Sequence, residues 1–332
     1  MRVCVAPLQP HCFAFGGFEV QMISALDAAR EMGADIERLD PWSRDSDFDT
    51  YHMWGCDISH LHTARWARLA EKKLVMSALF PYPNTRTLLR YWASLIVGTS
   101  RHRKPLLSWL SALTVVNKMQ ANYAISILGF PRDRVFVIPN IVEDIFFERS
   151  FDGVQPGVTL EDYIICTGNI CQRKNQLQLI KACRRIGVPL LLVGKTLTGE
   201  EAYGQAVEEA MRGVANMQWI RGLPANSPEL ASAYRNSIAF ALPSLNEQQP
   251  ISALEAAAAG KPLLLANRDY AKQELYNNAV LVNPYSVSDI ARNLSSLLDN
   301  PEKFTVAPGT LDSCRRKSVG GLYIEAYRAP IR

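Results

Sequence analysis

The chain has 332 residues, 48% hydrophobic and 20% charged, with a formal net charge of +4. That apolar content excludes a disordered chain, and the length is too great for one ordinary core and natural for two domains. The mild positive balance suits an acidic ligand or an anionic membrane surface and does not call for nucleic acid.

Seven cysteines, an odd number with no C-x-x-C pair, read as reduced thiols in a cytoplasmic protein. The opening run RVCVAP is too short for the apolar stretch of a secretory signal, and Pro7 ends it. No apolar run reaches the roughly 18 residues that a spanning helix needs.

RVCVAP reads as a short buried strand, followed by a loop through Gly16 and Gly17. FEVQMISALDAAREMG has helical periodicity and ends at Gly33, a C′ glycine. ADIERLD is the next strand, and the segment from Pro41 to Gly55 reads as loop. CDISHLH and KKLVMSALF are expected as two further strands with a short helix between them. LTVVN reads as strand, KMQANYAISILG as helix and RVFVIPN as strand.

The second half repeats this rhythm. DYIICTG, PLLLVG, MQWIRG, IAFALPS, PLLLAN and AVLVN are strands. The helices are NQLQLIKACRRIG, GEEAYGQAVEEAMRG, NSPELASAYRNS, the stretch after Pro250 and SDIARNLSSLLDN. In NSPELASAYRNS, Ser227 is the expected N-cap, with Pro228 at the first helical position. Apolar strands without alternation are buried on both faces, so the expected class is α/β with parallel sheets in two domains. The boundaries fall at 1–142, a linker over 143–157, a second domain over 158–310, and a C-terminal helix over 311–332 that packs back on the first domain.

In open α/β sheets, ligands sit at the carboxyl ends of strands. After DYIIC, Gly168 permits a close turn, and Arg173 and Lys174 stand near a helix start, where two cations beside free amides would hold a diphosphate. Alone they read as solvated charges, because cations at a helix N-terminus oppose the macrodipole unless an anion binds. After MQWI, Gly222 allows a flat ring to approach the backbone, although a simple turn explains it equally. In SLNEQQPISALEAAAAGKP, Pro250 fixes the helix entry, and the amides of Gln249, Ile251 and Ser252 face a cleft. Carboxylates accept hydrogen bonds from vicinal diols, which suits Glu247 and Glu255 to sugar hydroxyls. Ser252-Ala-Leu-Glu255 also fits a capping box, and by itself that reading of Glu255 wins. Glu247 has no such structural explanation.

Four other patterns carry less. Asp45-Ser46-Asp47 matches D-x-D, but it lies in a loop without a cation cluster and reads as a solvated turn. His52, Cys56, His60 and His62 are spaced like metal ligands, yet Gly55 and the strand-like DISHL argue against the helix that would align them. Gly16-Gly17 lacks the rest of a dinucleotide fingerprint. Arg86, Arg90, Arg101, Arg103 and Lys104 alternate with Leu, Trp and Ile up to Trp109. That segment suits either an anionic membrane surface or a helix pair packed on the sheet.

Together, TGNICQRKNQLQLIKA, LPSLNEQQPISALEAAAAGKPLLLAN and NNAVLVNPYSVSDIARNL resemble the nucleotide-sugar-binding half of the family-four retaining glycosyltransferases of GT-B fold. The family frame is E-x7-E, matched by Glu247, Pro250, Leu254, Glu255, Ala256, Gly260 and Pro262. VIPNIVEDIF, GGFEVQMISALDAAREMGADI and CDISHLH are similar to its interdomain segment, its N-terminal loop and helix, and its H-x-H strand. The similarity is specific over residues 160–300 and diffuse before 140.

The resemblance implies a GT-B-like fold, with two Rossmann-like domains whose parallel sheets face across a cleft, the first on the acceptor side. It implies that Lys174, helped by Arg173, holds the donor diphosphate, that Glu247 contacts the transferred sugar, and that Glu255 holds the ribose diol. Gly168, Asn169, Gly222, Leu223 and the backbone from Gln248 through Gln249 and Pro250 to Ile251 line the donor, and Gly17 lies under the diphosphate. His60 or His62 stands near the acceptor. The implied reaction is retaining transfer of a sugar from a nucleotide sugar to a glycan or lipid-linked glycan, with no metal or other cofactor. The implied setting is the cytoplasm, at the inner face of the membrane for a lipid-linked acceptor.

Three positions depart from the family: Asn169 where arginine is usual, Leu79 where a histidine ends T-x-H, and Gln248 where glycine is common. They keep two alternatives in view, a catalytically weak or inactive nucleotide-sugar-binding protein and a GT-B epimerase or phosphorylase.

Overall fold

The structure is a computed structural model and describes residues 1–13, 16–82, 88–90, 92–94, 98, 103–148 and 157–331. The chain divides into two compact units, Met1–Ile141 with Ser313–Arg332, and Val142–Asp312. Residues 149–156 of the expected linker, and Arg86 and Arg101 of the basic segment, lie outside the described residues.

The first unit holds β1 (Arg2–Ala6), β2 (Asp35–Arg38), β3 (Thr50–Trp54), β4 (Lys73–Ser77), β5 (Ala112–Val115) and β6 (Val135–Val137). All pair in parallel, in the order β2-β1-β3-β4-β5-β6. Its helices are α1 (Gly17–Glu31), α2 (Leu61–Leu69), α3 (Arg103–Trp109), α4 (Lys118–Ser126) and, from the far end of the chain, α10 (Arg316–Arg328). Helices α1 and α10 pack backbone to backbone at Gly320, where a Cβ would fall 2.4 Å from the Ala28 carbonyl oxygen. Helix α10 brings Tyr323 and Tyr327 to a buried polar chain. His52 Nδ1 lies 2.9 Å from the Tyr327 hydroxyl and Nε2 lies 2.9 Å from Ser77 Oγ, which meets Thr114 Oγ1 at 2.7 Å.

Two stretches differ from their expected structure: the expected loop from Pro41 to Gly55 ends in a strand, and CDISHLH is not one. The strand is the preceding TYHMW, every residue of which is buried beside β1 and β4. Asp57 then accepts from the Ser59 amide at 2.9 Å and caps a 3-10 turn, Ile58–His60, that runs into α2. Tyr51 and His52 are polar-looking in sequence, but both faces of the sheet are covered, His52 by Tyr323 and Tyr327 of α10 and Tyr51 by the core around Ala64, so no alternation marks them.

The second unit holds β7 (Ile164–Thr167), β8 (Leu190–Val193), β9 (Met217–Ile220), β10 (Ala239–Leu242), β11 (Leu263–Ala266) and β12 (Val280–Val282), all parallel, in the order β12-β11-β10-β7-β8-β9. Its helices are α5 (Gln176–Ile186), α6 (Glu201–Met211), α7 (Pro228–Asn236), α8 (Ile251–Ala258) and α9 (Val287–Asp299). Ser227 Oγ accepts from the Leu230 amide at 3.2 Å and caps α7, with Pro228 at its first position. The winding starts at β7, runs outward to β9, then returns to β10 on the other side of β7. The order reverses between β7 and β10, and the loops leaving their carboxyl ends diverge there, which opens the crevice in which such sheets bind ligands.

Candidate functional site

The loop after β7 begins at Gly168, with φ at +112°, a conformation that side chains disfavour. A Cβ on Gly168 would fall 2.8 Å from Lys174 Nζ, so the absent side chain is the space the lysine occupies. A 3-10 turn, Gln172–Lys174, follows and ends at Asn175, which is left-handed with φ at 62°. Asn175 Nδ2 donates to the carbonyls of Pro243 at 3.1 Å and Pro284 at 2.7 Å, tying this turn to the loops after β10 and β12. The Arg173 carbonyl accepts from the Leu245 amide at 2.8 Å and Ser244 Oγ at 3.0 Å.

These contacts bring Arg173, Lys174 and Glu247 into one cluster at the crevice. Glu247 Oε1 meets Arg173 Nη1 at 2.5 Å, Ser244 Oγ at 3.1 Å and Lys174 Nζ at 3.5 Å. The Lys174 and Glu247 side chains are only 10% and 11% exposed, whereas Arg173 is 44% exposed. Lys174 is therefore the buried cation and Arg173 the one at the rim. Burial pushes the Glu247 carboxyl up, but the Lys174 and Arg173 charges and hydrogen bonds from Arg173 and Ser244 outweigh it and hold the group below its ordinary range.

The capping-box reading of Ser252 and Glu255 is corrected. The N-cap of α8 is Pro250, which makes no side-chain cap, and Glu255 is the fifth helical residue. Proline fixes φ and brings the chain into the helix at Ile251, which places Ser252 inside the first turn. Glu255 instead accepts from the Tyr234 hydroxyl at 2.7 Å, and Tyr234 is joined in turn to Thr167 Oγ1 at the end of β7. Burial raises the Glu255 carboxyl to about 7, against the lowering effects of that hydrogen bond and of Lys174. The two glutamates share a pattern. Oε1 of Glu247 and Oε2 of Glu255 are held by protein groups, and the other oxygen of each has no hydrogen-bond partner among the described residues. Neither of those oxygens is sealed from solvent.

The remaining expected residues are not part of this cluster. Gln273 pins the α8 entry loop: its Nε2 donates to the Gln248 carbonyl at 2.8 Å and its Oε1 accepts from Gln249 Nε2 at 3.0 Å. The Asn169 carbonyl accepts from Gln176 Nε2 at 3.0 Å. Gly222, with φ at +112°, and half-buried Leu223 follow β9, two strands and about 10 Å from β7. Gly17, His60 and His62 belong to the first unit. Gly17 opens α1, and the Gly16 amide there donates to Glu19 at 2.8 Å. His60 is buried and its Nε2 donates to the Trp54 carbonyl at 3.2 Å, whereas His62 is exposed and accepts from Trp66 Nε1 at 3.4 Å. His52 lies inside β3, and no metal-ligand cluster is found among the described residues.

Sequence reasoning missed Tyr234, Thr167, Ser244 and Gly194. Gly194 directly follows β8 and lies against the loop leaving β7, where a Cβ would fall 2.1 Å from the Gly168 carbonyl oxygen. Only Gly194, as a glycine directly after an apolar strand, carried a readable signal. Tyr234 and Thr167 look like core residues of a helix and a strand.

Two tandem units, each a six-stranded parallel sheet with helices, and a cationic crevice at the strand-order reversal of the second, have the architecture of GT-B glycosyltransferases. Solved structures of this fold match almost the whole chain. HepE from Anabaena, in complex with UDP and glucose, is 15% identical with a TM-score of 0.76, covering 99% of this chain and 100% of that one. Sucrose-phosphate synthase from Thermosynechococcus elongatus is 14% identical with a TM-score of 0.73, covering 98% of each chain. Residues 154–306, which lie within the second unit, match the family Glycosyl transferases group 1.

Two D-inositol 3-phosphate glycosyltransferases are similar in sequence. That of Paenarthrobacter aurescens is 27% identical over 235 residues, which is 64% of this chain and 56% of that protein. That of Pseudarthrobacter chlorophenolicus is 24% identical over 302 residues, 84% of this chain and 66% of that protein. The match thus spans less than two thirds of either relative.

Proposed function

We propose that the protein is a retaining glycosyltransferase that moves a sugar from a nucleotide sugar to a glycan or lipid-linked glycan. The observation that carries this reading is the pair of glutamates, mostly covered Glu247 and buried Glu255, each with one unpartnered oxygen, beside the buried Lys174. A nucleotide sugar has hydroxyls at both ends and a diphosphate in the middle. Glu247 receives the hydroxyls of the transferred sugar, Glu255 those of the ribose, and Lys174 with Arg173 the diphosphate. As the glycosidic bond breaks, negative charge grows on the departing diphosphate, and preorganised cations and first-turn amides of α8 stabilise it there more than in the ground state. The acceptor hydroxyl then attacks from the face the diphosphate leaves and passes its proton to an oxygen of that departing diphosphate, which keeps the anomeric configuration. Arg173 and Lys174 serve this charge, so the scheme calls on no metal or cofactor. The setting proposed is the cytoplasm, with peripheral membrane contact if the acceptor is lipid-linked. Among the described residues, no helix is long and apolar enough to cross a membrane.

The test is a thermal-shift panel of UDP-, GDP- and ADP-sugars on the wild type and on Lys174→Ala, followed by turnover with the donor that shifts most. UDP-glucose comes first, because HepE is solved with UDP and glucose. A donor that stabilises the wild type and not the variant, and whose sugar is transferred with its anomeric configuration kept, supports the reading. Stabilisation without transfer to glycan or lipid-linked acceptors favours a binding protein, and no shift with any donor removes the reading.

A further inference from the structure

We propose that Tyr234 is the positioning residue of the donor site: it takes one carboxylate oxygen of Glu255 and leaves the other ionised and aimed at the donor's ribose hydroxyls. This rests on the nucleotide-sugar reading of that site.

The geometry is a directed chain. Tyr234 is fully buried, and its ring lies edge-on to Phe146 and tilted against Phe240, so it cannot turn away. Its hydroxyl has one proton, and that proton goes to Glu255 Oε2 at 2.7 Å. The contact with Thr167 Oγ1 must therefore run the other way, from the threonine hydroxyl to the phenol oxygen. Thr167 donates to Tyr234 and Tyr234 donates to Glu255, and each bond polarises the next toward the carboxylate. Thr167 is also the last residue of β7, directly before Gly168, so one element sets both the glutamate and the lysine pocket.

The chain matters because Glu255 is buried where its charge is disfavoured. Three charged or titratable groups act on it: Tyr234 from α7, Lys174 from the turn before α5, and Glu143 from the start of the second unit. Tyr234 and Lys174 favour the ionised form, whereas burial and Glu143 oppose it, and the result sits at about 7. A protonated carboxyl would spend its proton as a donor and accept poorly from a diol. Nucleotide affinity is therefore set by how well the Tyr234 hydrogen bond holds the proton off near neutral pH. The phenol of Tyr234 does not itself ionise in this range, since burial and the neighbouring Glu255 push it far up.

The experiment measures the Kd of the wild type, Tyr234→Phe, Thr167→Val and Glu255→Gln across about pH 6 to 9, using whichever of UDP, GDP and ADP binds the wild type. Tyr234→Phe keeps the ring and its packing and removes only the hydroxyl. Wild-type affinity rises with pH through a midpoint near 7, as Glu255 ionises. Loss of a hydrogen bond to a charged group moves that midpoint upward by about one to two units, so Tyr234→Phe binds about tenfold more weakly near neutrality and regains affinity at high pH. Thr167→Val moves it in the same direction by less. Glu255→Gln shows no such step and leaves only the titration of the diphosphate itself. A Tyr234→Phe profile that is weaker by a constant factor at every pH, or unchanged, overturns the positioning role while the donor-site reading stands. A wild type that binds none of the three nucleotides at any pH overturns both.

Discussion

A side chain on Gly168 and the ammonium of Lys174 would occupy the same space: a Cβ on the glycine would fall 2.8 Å from Nζ. The loop after β7 carries glycine there for two separate reasons, its φ of +112° and the lysine lying over it. Gly168→Ala pays the conformational strain of roughly 1–3 kcal/mol, and the flexible lysine end gives way. The expected result is a modest drop in melting temperature together with a loss of nucleotide binding larger than the stability change explains. Calorimetric titration of the folded variant checks it.

Gly194→Ala is expected to behave differently. Its Cβ would meet a backbone oxygen at 2.1 Å, and no flexible group can yield. The cost falls on the fold, at several kcal/mol, by the same logic as overpacking a core. Urea unfolding of the variant, or its failure to accumulate as soluble protein, is the measurement; a variant with wild-type stability would contradict the geometry.

Lys174→Met removes the cation with the largest charge effect on Glu247 and leaves that carboxyl mostly buried, with the half-exposed Arg173 and the Ser244 hydroxyl to oppose its burial. Loss of one preorganised charge-stabilising group costs about 10²–10³-fold in turnover. The stability change has a definite pH course. Glu247 is held below its ordinary value in the wild type, so its contribution is present above the unfolded value of 4.5 and is lost as pH falls through the folded value. In Lys174→Met that stabilisation is diminished at neutral pH, and the loss on acidification, which still begins near the unfolded value of 4.5, is smaller and ends at a higher pH. Thermal melts across the acid range compare the two.

Glu255 has the opposite sign. Its folded value of about 7 lies above the unfolded 4.5, so the folded state holds the proton longer, and stability is lost as pH rises from 4.5 through 7. Glu255→Gln keeps the shape and removes the ionisation. It is expected to match the wild type below the unfolded value and to exceed it by about 3–4 kcal/mol at alkaline pH, since each unit is about 1.4 kcal/mol. Denaturation of both proteins in acid and in alkali shows whether the gap opens.

His52 gives the first unit a matching acid sensitivity. Burial, and then the charge of His60, lowers His52 from 6.5 to about 3, so the folded state cannot take the proton that the unfolded chain takes. Stability is full above 6.5 and falls as pH drops toward 3, by about 2 kcal/mol between neutrality and pH 5. His52→Gln, which retains polar atoms for Tyr327 and Ser77, should be less stable at neutral pH and should lack this decline.

Much of this protein was legible without coordinates. Alternating helical and unbroken apolar stretches set two parallel-sheet halves, because strands buried on both faces and helices with a 3.6 period leave clear local traces. Ser227-Pro228 marked the start of α7, and Glu247 stood out because nothing local explained it. Local patterns also misled, where a capping box was read into Ser252 and Glu255, and a strand into CDISHLH, whose place is taken by a capped turn after a fully buried TYHMW.

What only the tertiary structure decided is where charges sit and what they touch. Strand order put the loops after β7 and β10 side by side, although 75 residues of chain separate their ends, and so joined Lys174 to Glu247 and Thr167 through Tyr234 to Glu255. Composition cannot carry that information. A buried carboxylate and an exposed one are the same letter, and their ionisation depends on solvent and neighbours that meet only when the sheet is assembled.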